Sequence, residues 1–242
     1  MNINIIYNIW INKERNWKII IDSQLNDIIS SKILERATLY IILVAESDIS
    51  DESKIFIDSI LTKNNIFNYN IDIYYNNHYE YYGIKKIYDL AHTTNDEENT
   101  IYLYLHTKGM FNYFGLPNDR RGHERILTRT TVYPWLSVVD TFKNNKNINL
   151  MGMFPAIYGL VWFNFFWVRG EYLRKNCIEP EISEDRYYYE KWLVLICNPN
   201  ESELYNMYEK NFKRYTAEEA LKLIHSIEIC QDVLGFSELC KD

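Results

Sequence analysis

From Ile3 to Leu105 the chain switches repeatedly between strand-like and helix-like hydrophobic periods, and this alternation restricts its possible folds more than any other feature. Ile3 to Ile9 is a short apolar run suited to a strand. Trp17, Ile20, Ile21, Leu25, Ile28 and Ile29 then recur at helical spacing, with Lys18, Asp22 and Asp27 on other faces. Leu39 to Ala45 (LYIILVA) is almost unbroken apolar sequence, as a parallel strand buried on both faces requires. Asp51 and Glu52 open a second helical stretch through Leu61, their charges complementing the helix dipole. Ile71, Ile73 and Tyr75 alternate as a strand. Ile84, Ile87, Leu90 and Ala91 mark a third helix, and Thr100 to Leu105 (TIYLYL) alternates as a fourth strand. Strand–helix–strand units in series imply right-handed crossovers and a mostly parallel central sheet flanked by helices, a Rossmann-like α/β fold. Ligands of such sheets bind beyond the carboxyl ends of the strands. That rule points to Asn8 to Asn12, Glu46 to Asp48, Asn76 to Glu80 and His106 to Gly109.

The second half is less regular. Arg121 to Phe142 reads as helix, interrupted at Pro134. Asn149 to Val168 carries no charge and is long enough to cross a bilayer. Gly152, Pro155, Gly159 and Asn164 instead divide it into two apolar strands, around 150–154 and 160–168, which predicts buried sheet and no membrane span. Ser183, Glu184 and Asp185 make a helix start ahead of RYYYEKWLVLIC, and Thr216 with Glu219 forms a capping box ahead of Ala220, Leu221, Ile224 and Ile227. With no Gly/Ser/Pro-rich linker and no internal repeat, residues 1–242 read as a single domain.

Charge excludes one class of partner. The formal net charge is −7 and no dense Lys/Arg block occurs, so the basic stripe that a nucleic-acid binder needs is missing. The start, MNINIIYNIWINKER, lacks the pattern of a secretory signal. Cys177, Cys197, Cys230 and Cys240 have no CxxC spacing, and reduced thiols in a cytoplasmic protein fit them better than a zinc site or a disulfide framework. His78, His92, His123 and His225 show no metal-ligand spacing. The 21 Tyr and 6 Trp supply surfaces that stack on bases or sugars, although abundant Asn, Ile and Lys beside them indicate AT-rich codon usage as the main cause.

The most informative segment is IYLYLHTKG, Ile101 to Gly109, where a strand ends by presenting His106, Thr107 and Lys108 at the ligand edge. Taken with what surrounds it, the order of segments resembles a family of glycosyltransferases from bacteria and large DNA viruses, built on a GT-A-like fold. The matching pieces are Tyr7, Trp17 with Gln24-Leu25, Tyr79-Glu80, His106-Thr107-Lys108-Gly109, Phe163-Asn164-Phe165-Phe166-Trp167 with Tyr172-Leu173, and Arg186-Tyr187 with Glu190 and Trp192. They cover about residues 3–195. The chain departs from the pattern at Phe163, where a Gly usually precedes the Asn, at Phe166 in place of a Trp, and after the HTKG segment, where a common Trp-Arg is missing and His123-Glu124-Arg125 stands nearby.

The resemblance implies transfer of a sugar from a nucleotide diphosphate sugar, UDP-linked by preference, to a glycan or glycoprotein acceptor, in the cytoplasm (that of the host for a viral member). GT-A enzymes usually hold a divalent metal such as Mn²⁺ on an Asp-x-Asp, and this sequence has none. The diphosphate still develops negative charge as it departs, which the Lys108 ammonium can meet directly, with His106 or Thr107 donating hydrogen bonds. No obligatory metal is therefore expected. Tyr7 is expected to stack on the base and Glu80 to bind a ribose or sugar hydroxyl. Asn164 and Trp167 are expected on the acceptor wall, with Arg186 beside them. An inverting transferase needs a carboxylate to take the acceptor proton, and Glu190 is the first candidate, with Asp185 and Glu184 competing. Arg186 and Glu190, four apart, also suit a simple surface pair. A second reading is a catalytically silent nucleotide- or sugar-binding module on the same fold.

Overall fold

The apolar run at the start becomes β1 (Asn2–Trp10), and the helical periodicity after it becomes α1 (Trp17–Ser30). The alternation continues as β2 (Ala37–Val44), α2 (Ser47–Lys63), β3 (Tyr69–Tyr74), α3 (Tyr81–Thr93) and β4 (Thr100–His106). The computed structural model describes residues 1–93, 96–107, 122–185, 187–200 and 202–234. Beyond β4 come α4 (Gly122–Val132) and α5 (Trp135–Asn144), then β5 (Leu150–Gly152), β6 (Phe166–Arg169) and α6 (Gly170–Asn176). The short α7 (Tyr188–Lys191), β7 (Leu204–Asn206) and α8 (Ala217–Leu234) complete the order.

The strands form one seven-stranded sheet in the order β3-β2-β1-β4-β6-β5-β7. Its pairs are parallel except those of β6, which runs antiparallel to β4 and β5. This is the mostly parallel, helix-flanked α/β sheet that the alternating periods predict. The central pair β1 and β4 is in register, with Ile5 beside Leu103 and Asn8 beside His106, so both strands end at the same edge.

Side-chain parity divides the core in two. Odd residues of β1 (Ile3, Ile5, Tyr7, Ile9) and of β4 (Leu103, Leu105), with Trp167 of β6, pack against α1, α2, α4, α5 and α8. Ile6, Tyr102, Tyr104, Phe166 and Val168 face the other way, against α3, α6 and α7. On the first face the buried Asp27 carboxylate accepts from Arg129 Nε at 2.9 Å, tying α1 to α4.

In the second half one expectation holds and two change in detail. The helical stretch expected over 121–142 is interrupted at Pro134 as expected, into two helices, since Pro134 has no N–H to continue the first. The strand expected from Leu160 begins only at Phe166. Val161 first bridges to Pro155, and a 3₁₀ turn at Trp162–Asn164 intervenes with Phe163 and Asn164 in left-handed backbone. At Gly152 a side chain would meet Val161 Cγ1 at 2.4 Å, so β5 and this segment approach as closely as only glycine allows. The helix expected after Asp185 is a single turn, α7, followed by a 3₁₀ turn at Trp192–Val194. Its rings are committed to the preceding extended chain: Tyr189 Oη accepts from Ser183 N at 3.0 Å, and Trp192 Nε1 donates to Ile178 O at 2.9 Å. The capping box forms as expected, Glu219 N donating to Thr216 Oγ1 and Thr216 N to Glu219 Oε2. The uncharged stretch 149–168 is strand, bridge and turn, and no helix among the described residues is long and apolar enough to cross a membrane.

Candidate functional site

The ends of β1 and β4 are clamped before any ligand chemistry begins. Thr107 N donates to Asn8 O at 3.0 Å. The Thr107 hydroxyl is used twice on Trp10, accepting from its N–H at 3.0 Å and donating to its carbonyl at 3.3 Å. Beneath them, on the α1 face, Gln24 Nε2 donates to His106 O at 3.2 Å and to Thr128 Oγ1 at 2.9 Å, while Gln24 Oε1 accepts from Tyr7 Oη at 2.8 Å. The final carbonyl of β4 is thus fixed from below.

On the α3 face, the even positions collect the polar groups. Glu80 stands at the start of α3, its carbonyl accepting from Ile84 N at 3.0 Å, directly after Tyr79 in left-handed backbone (φ 54°). Glu80 Oε2 accepts from Tyr104 Oη at 3.0 Å and from Asn164 Nδ2. Glu80 Oε1 lies 3.9 Å from His106 Nε2, which donates to Phe163 O at 3.1 Å and is thereby fixed as the protonated ring nitrogen. The His106 ring packs against Phe165 (centroids 5.1 Å) and Tyr104 (6.1 Å). Gly83, one turn after Glu80, lets α3 sit directly on this cluster. A side chain there would meet Asn8 Cβ and Tyr104 Cε2, each at 2.9 Å.

The cluster is a preorganised carboxylate in a mostly buried setting, with the Glu80 side chain 15% exposed. Burial, reinforced by the Glu80 charge, pushes the Tyr104 phenol well above the ordinary tyrosine range, so it remains a donor. Oε2 is occupied by protein donors; Oε1 keeps capacity to accept from a ligand hydroxyl. The Asn8 side-chain oxygen, 2% exposed overall, has no hydrogen-bond partner among the described residues. A buried acceptor of that kind costs about 1–3 kcal/mol if nothing meets it.

The structure therefore brings Glu80, His106 and Asn164 together. Glu190 lies half-buried on α7, which packs against the turn carrying Asn164. Asp185 is exposed and caps the turn before α7, accepting from Tyr187 N at 2.9 Å; Glu184 beside it is exposed too. Lys108 and Arg186 lie outside the described residues. Two expectations are corrected. Tyr7 is fully buried on the α1 face, with its hydroxyl held by Gln24, so it offers no ring face to a base. Trp167 is likewise fully buried on that face, donating from Nε1 to Thr131 O at 2.9 Å, and is core rather than an acceptor wall. Both sit at odd positions, one residue out of phase with the cluster.

Sequence reading placed Asn8 only within the strand-end segment Asn8 to Asn12, with no role, and passed over Tyr104 and Gly83. For Asn8 a signal exists: it is a polar residue inside an apolar strand, at the parity of Ile6 rather than of Tyr7. Among the described residues, no group of three or more His, Cys, Asp or Glu stands close enough to hold a metal ion.

The fold and this edge define an α/β protein with a held carboxylate, at the start of α3, beside the carboxyl end of β4. No protein-family model matches the sequence, and no curated protein matches it. Among solved structures the chain is similar to residues 1–349 of S. aureus TarS, with 11% identity and a TM-score of 0.48. The match covers 97% of this chain and 66% of that one, so this chain spans a little under two thirds of its length.

Proposed function

We propose that the chain is a glycosyltransferase that moves a sugar from a nucleotide diphosphate sugar, UDP-linked by preference, to a glycan or protein acceptor. The observation that carries this reading is the Glu80 carboxylate. It is held by Tyr104 and Asn164 at the carboxyl edge of the parallel strands, beside His106, which precedes Lys108 by two residues in the sequence. A carboxylate with one protein-bound and one available oxygen suits the hydroxyls of a ribose or sugar, which are donors that it can orient.

In the proposed reaction the bond from the anomeric carbon to the diphosphate oxygen breaks, and its electron pair leaves with the diphosphate. The acceptor oxygen bonds the anomeric carbon and gives its proton to a carboxylate. Glu190, on the helix packed against the Asn164 turn, is the first candidate for that base, with Asp185 the second. The Lys108 ammonium neutralises the departing diphosphate; His106 and Thr107, which precede it in the sequence, are held by Phe163 and Trp10. On this reading a divalent ion is not obligatory. Glu190→Gln should cut turnover by about 100-fold with donor affinity nearly unchanged. If Asp185→Asn does so instead, the base is Asp185.

A thermal-shift screen against UDP-, GDP- and ADP-sugars, with and without Mn²⁺, tests the donor. A ligand that binds the folded state raises the melting temperature by mass action. At least one nucleotide sugar should do so without metal, and Glu80→Gln should remove the shift. No shift with any of them would overturn the reading.

A further inference from the structure

A strip of aromatic rings runs away from Glu80 along the same edge of the molecule. Tyr74, at the end of β3, stacks on Tyr82 of α3 with centroids 3.8 Å apart. Tyr82 meets His78 at 5.8 Å and Tyr81 at 5.2 Å. Tyr81 continues to Tyr189 of α7 at 6.5 Å, and Tyr189 to Tyr188 at 5.1 Å. Of these rings only Tyr189 is buried; the others keep surface in solvent. Tyr75 and Tyr79, chain neighbours of Tyr74 and of Glu80, are 60% and 36% exposed. Among the described residues, the hydroxyls of Tyr75, Tyr79, Tyr81 and Tyr82 have no hydrogen-bond partner.

Rings that served only as core would be covered by aliphatic side chains, with their hydroxyls satisfied. Here partly open ring faces lie in succession with hydroxyls to spare, which matches a carbohydrate: its C–H faces stack on aromatics and its hydroxyls exchange hydrogen bonds with phenols. The strip passes over several rings and is longer than one sugar. Its charges also speak to the ligand. Lys85 is paired with Asp89 and Glu179, and Lys86 with Asp72, while Glu184 and Asp185 next to α7 are exposed acids. This setting suits a neutral chain and disfavours a phosphorylated one.

We propose that this strip, from Tyr74 through Tyr82 and Tyr81 to Tyr188, binds the acceptor as a neutral oligosaccharide whose reacting end lies at Glu80. The assignment of the bound chain as acceptor rests on the transferase reading above; the binding itself does not.

Saturation-transfer NMR on the full chain, with cellotriose, maltotriose and chitotriose each compared with its monosaccharide, tests the strip. At least one trisaccharide should bind about 10-fold more tightly than its monosaccharide, about 1.4 kcal/mol. The double variant Tyr81→Ser/Tyr188→Ser removes two partly open rings of the strip and leaves buried Tyr189 in place. It should lose about that 10-fold, with melting temperature and nucleotide-sugar shift retained. Absence of trisaccharide binding, or equal binding by the double variant, would overturn the proposal. Ring-dependent binding without any sugar transfer would keep the strip and remove the transferase reading. Transfer to a protein acceptor at equal rates in both proteins would remove the strip and keep that reading.

Discussion

Asn164 donates its side-chain amide to the carboxylate of Glu80 across 84 residues of chain, and each partner directly follows a residue in left-handed backbone. Asn164 itself has φ 58° and follows Phe163 at φ 69°, while Glu80 follows Tyr79 at φ 54°. Non-glycine residues in that region cost about 1–2 kcal/mol each, less for Asn, and such outliers gather where surrounding structure over-determines them. The chain accepts strained turns on both sides of one contact.

Two substitutions separate the backbone contribution from the amide. Asn164→Gly keeps the left-handed residue and removes the donor to Glu80; Asn164→Ala removes both. Chemical denaturation should find the Ala variant less stable than the Gly variant by about 1 kcal/mol. Both should weaken nucleotide-sugar binding alike. Equal stability would mean that the turn relaxes freely.

Gly83 makes a sharper steric claim. A methyl there must displace Asn8 or Tyr104, each 2.9 Å away. Gly83→Ala should destabilise by about 1–3 kcal/mol despite its gain in helix propensity, lowering the melting temperature by about 2–4 °C for each kcal/mol. Unchanged or raised stability would show that α3 has room at this point.

Alkaline pH probes the Tyr104–Glu80 pair. Burial first, then the Glu80 charge, raise the Tyr104 pKa well above its usual 10.0, and burial likewise raises Tyr172, Tyr189 and Tyr215. The unfolded chain releases these protons near 10.0 while the folded chain retains them. Their stabilisation is therefore complete below that pH and is lost as pH rises beyond it, at about 1.4 kcal/mol per pH unit for each proton. Tyrosinate absorbance should rise in two stages, the second coinciding with loss of native circular dichroism. Tyr104→Phe should flatten the alkaline slope of stability. A single stage near pH 10.0 with the fold intact would contradict this burial.

The sheet was legible because each parallel strand in the first half is a short apolar run followed by a helical period, and little else can bury such a pattern. The second half was less so. The start of β6 was misjudged because Leu160 to Phe165 is as apolar as a strand, yet spends its residues on a bridge and a left-handed turn. α7 shrank because Tyr189 and Trp192 bind the backbone before it rather than extend a helix. Within the site, Glu80, His106 and Asn164 came from motif positions and do meet. Tyr7 and Trp167 came from the same motifs but lie on the opposite face, a distinction carried by parity alone. Tyr104 and Gly83 gave no sequence signal, since a Tyr in a strand and a Gly in a helix acquire meaning only from what stands across from them.

The central claim is that the held carboxylate and Lys108 serve a nucleotide diphosphate sugar. The most direct measurement is release of nucleoside diphosphate from a panel of nucleotide sugars by the full chain, its Glu80→Gln variant and its Lys108→Ala variant, with and without excess EDTA. The account predicts release from at least one donor, unaffected by EDTA. Lys108→Ala should lower kcat/KM by about 2–4 kcal/mol of transition-state stabilisation, and Glu80→Gln should raise KM. Release of no nucleoside diphosphate from any donor, or full rates in both variants, would contradict it.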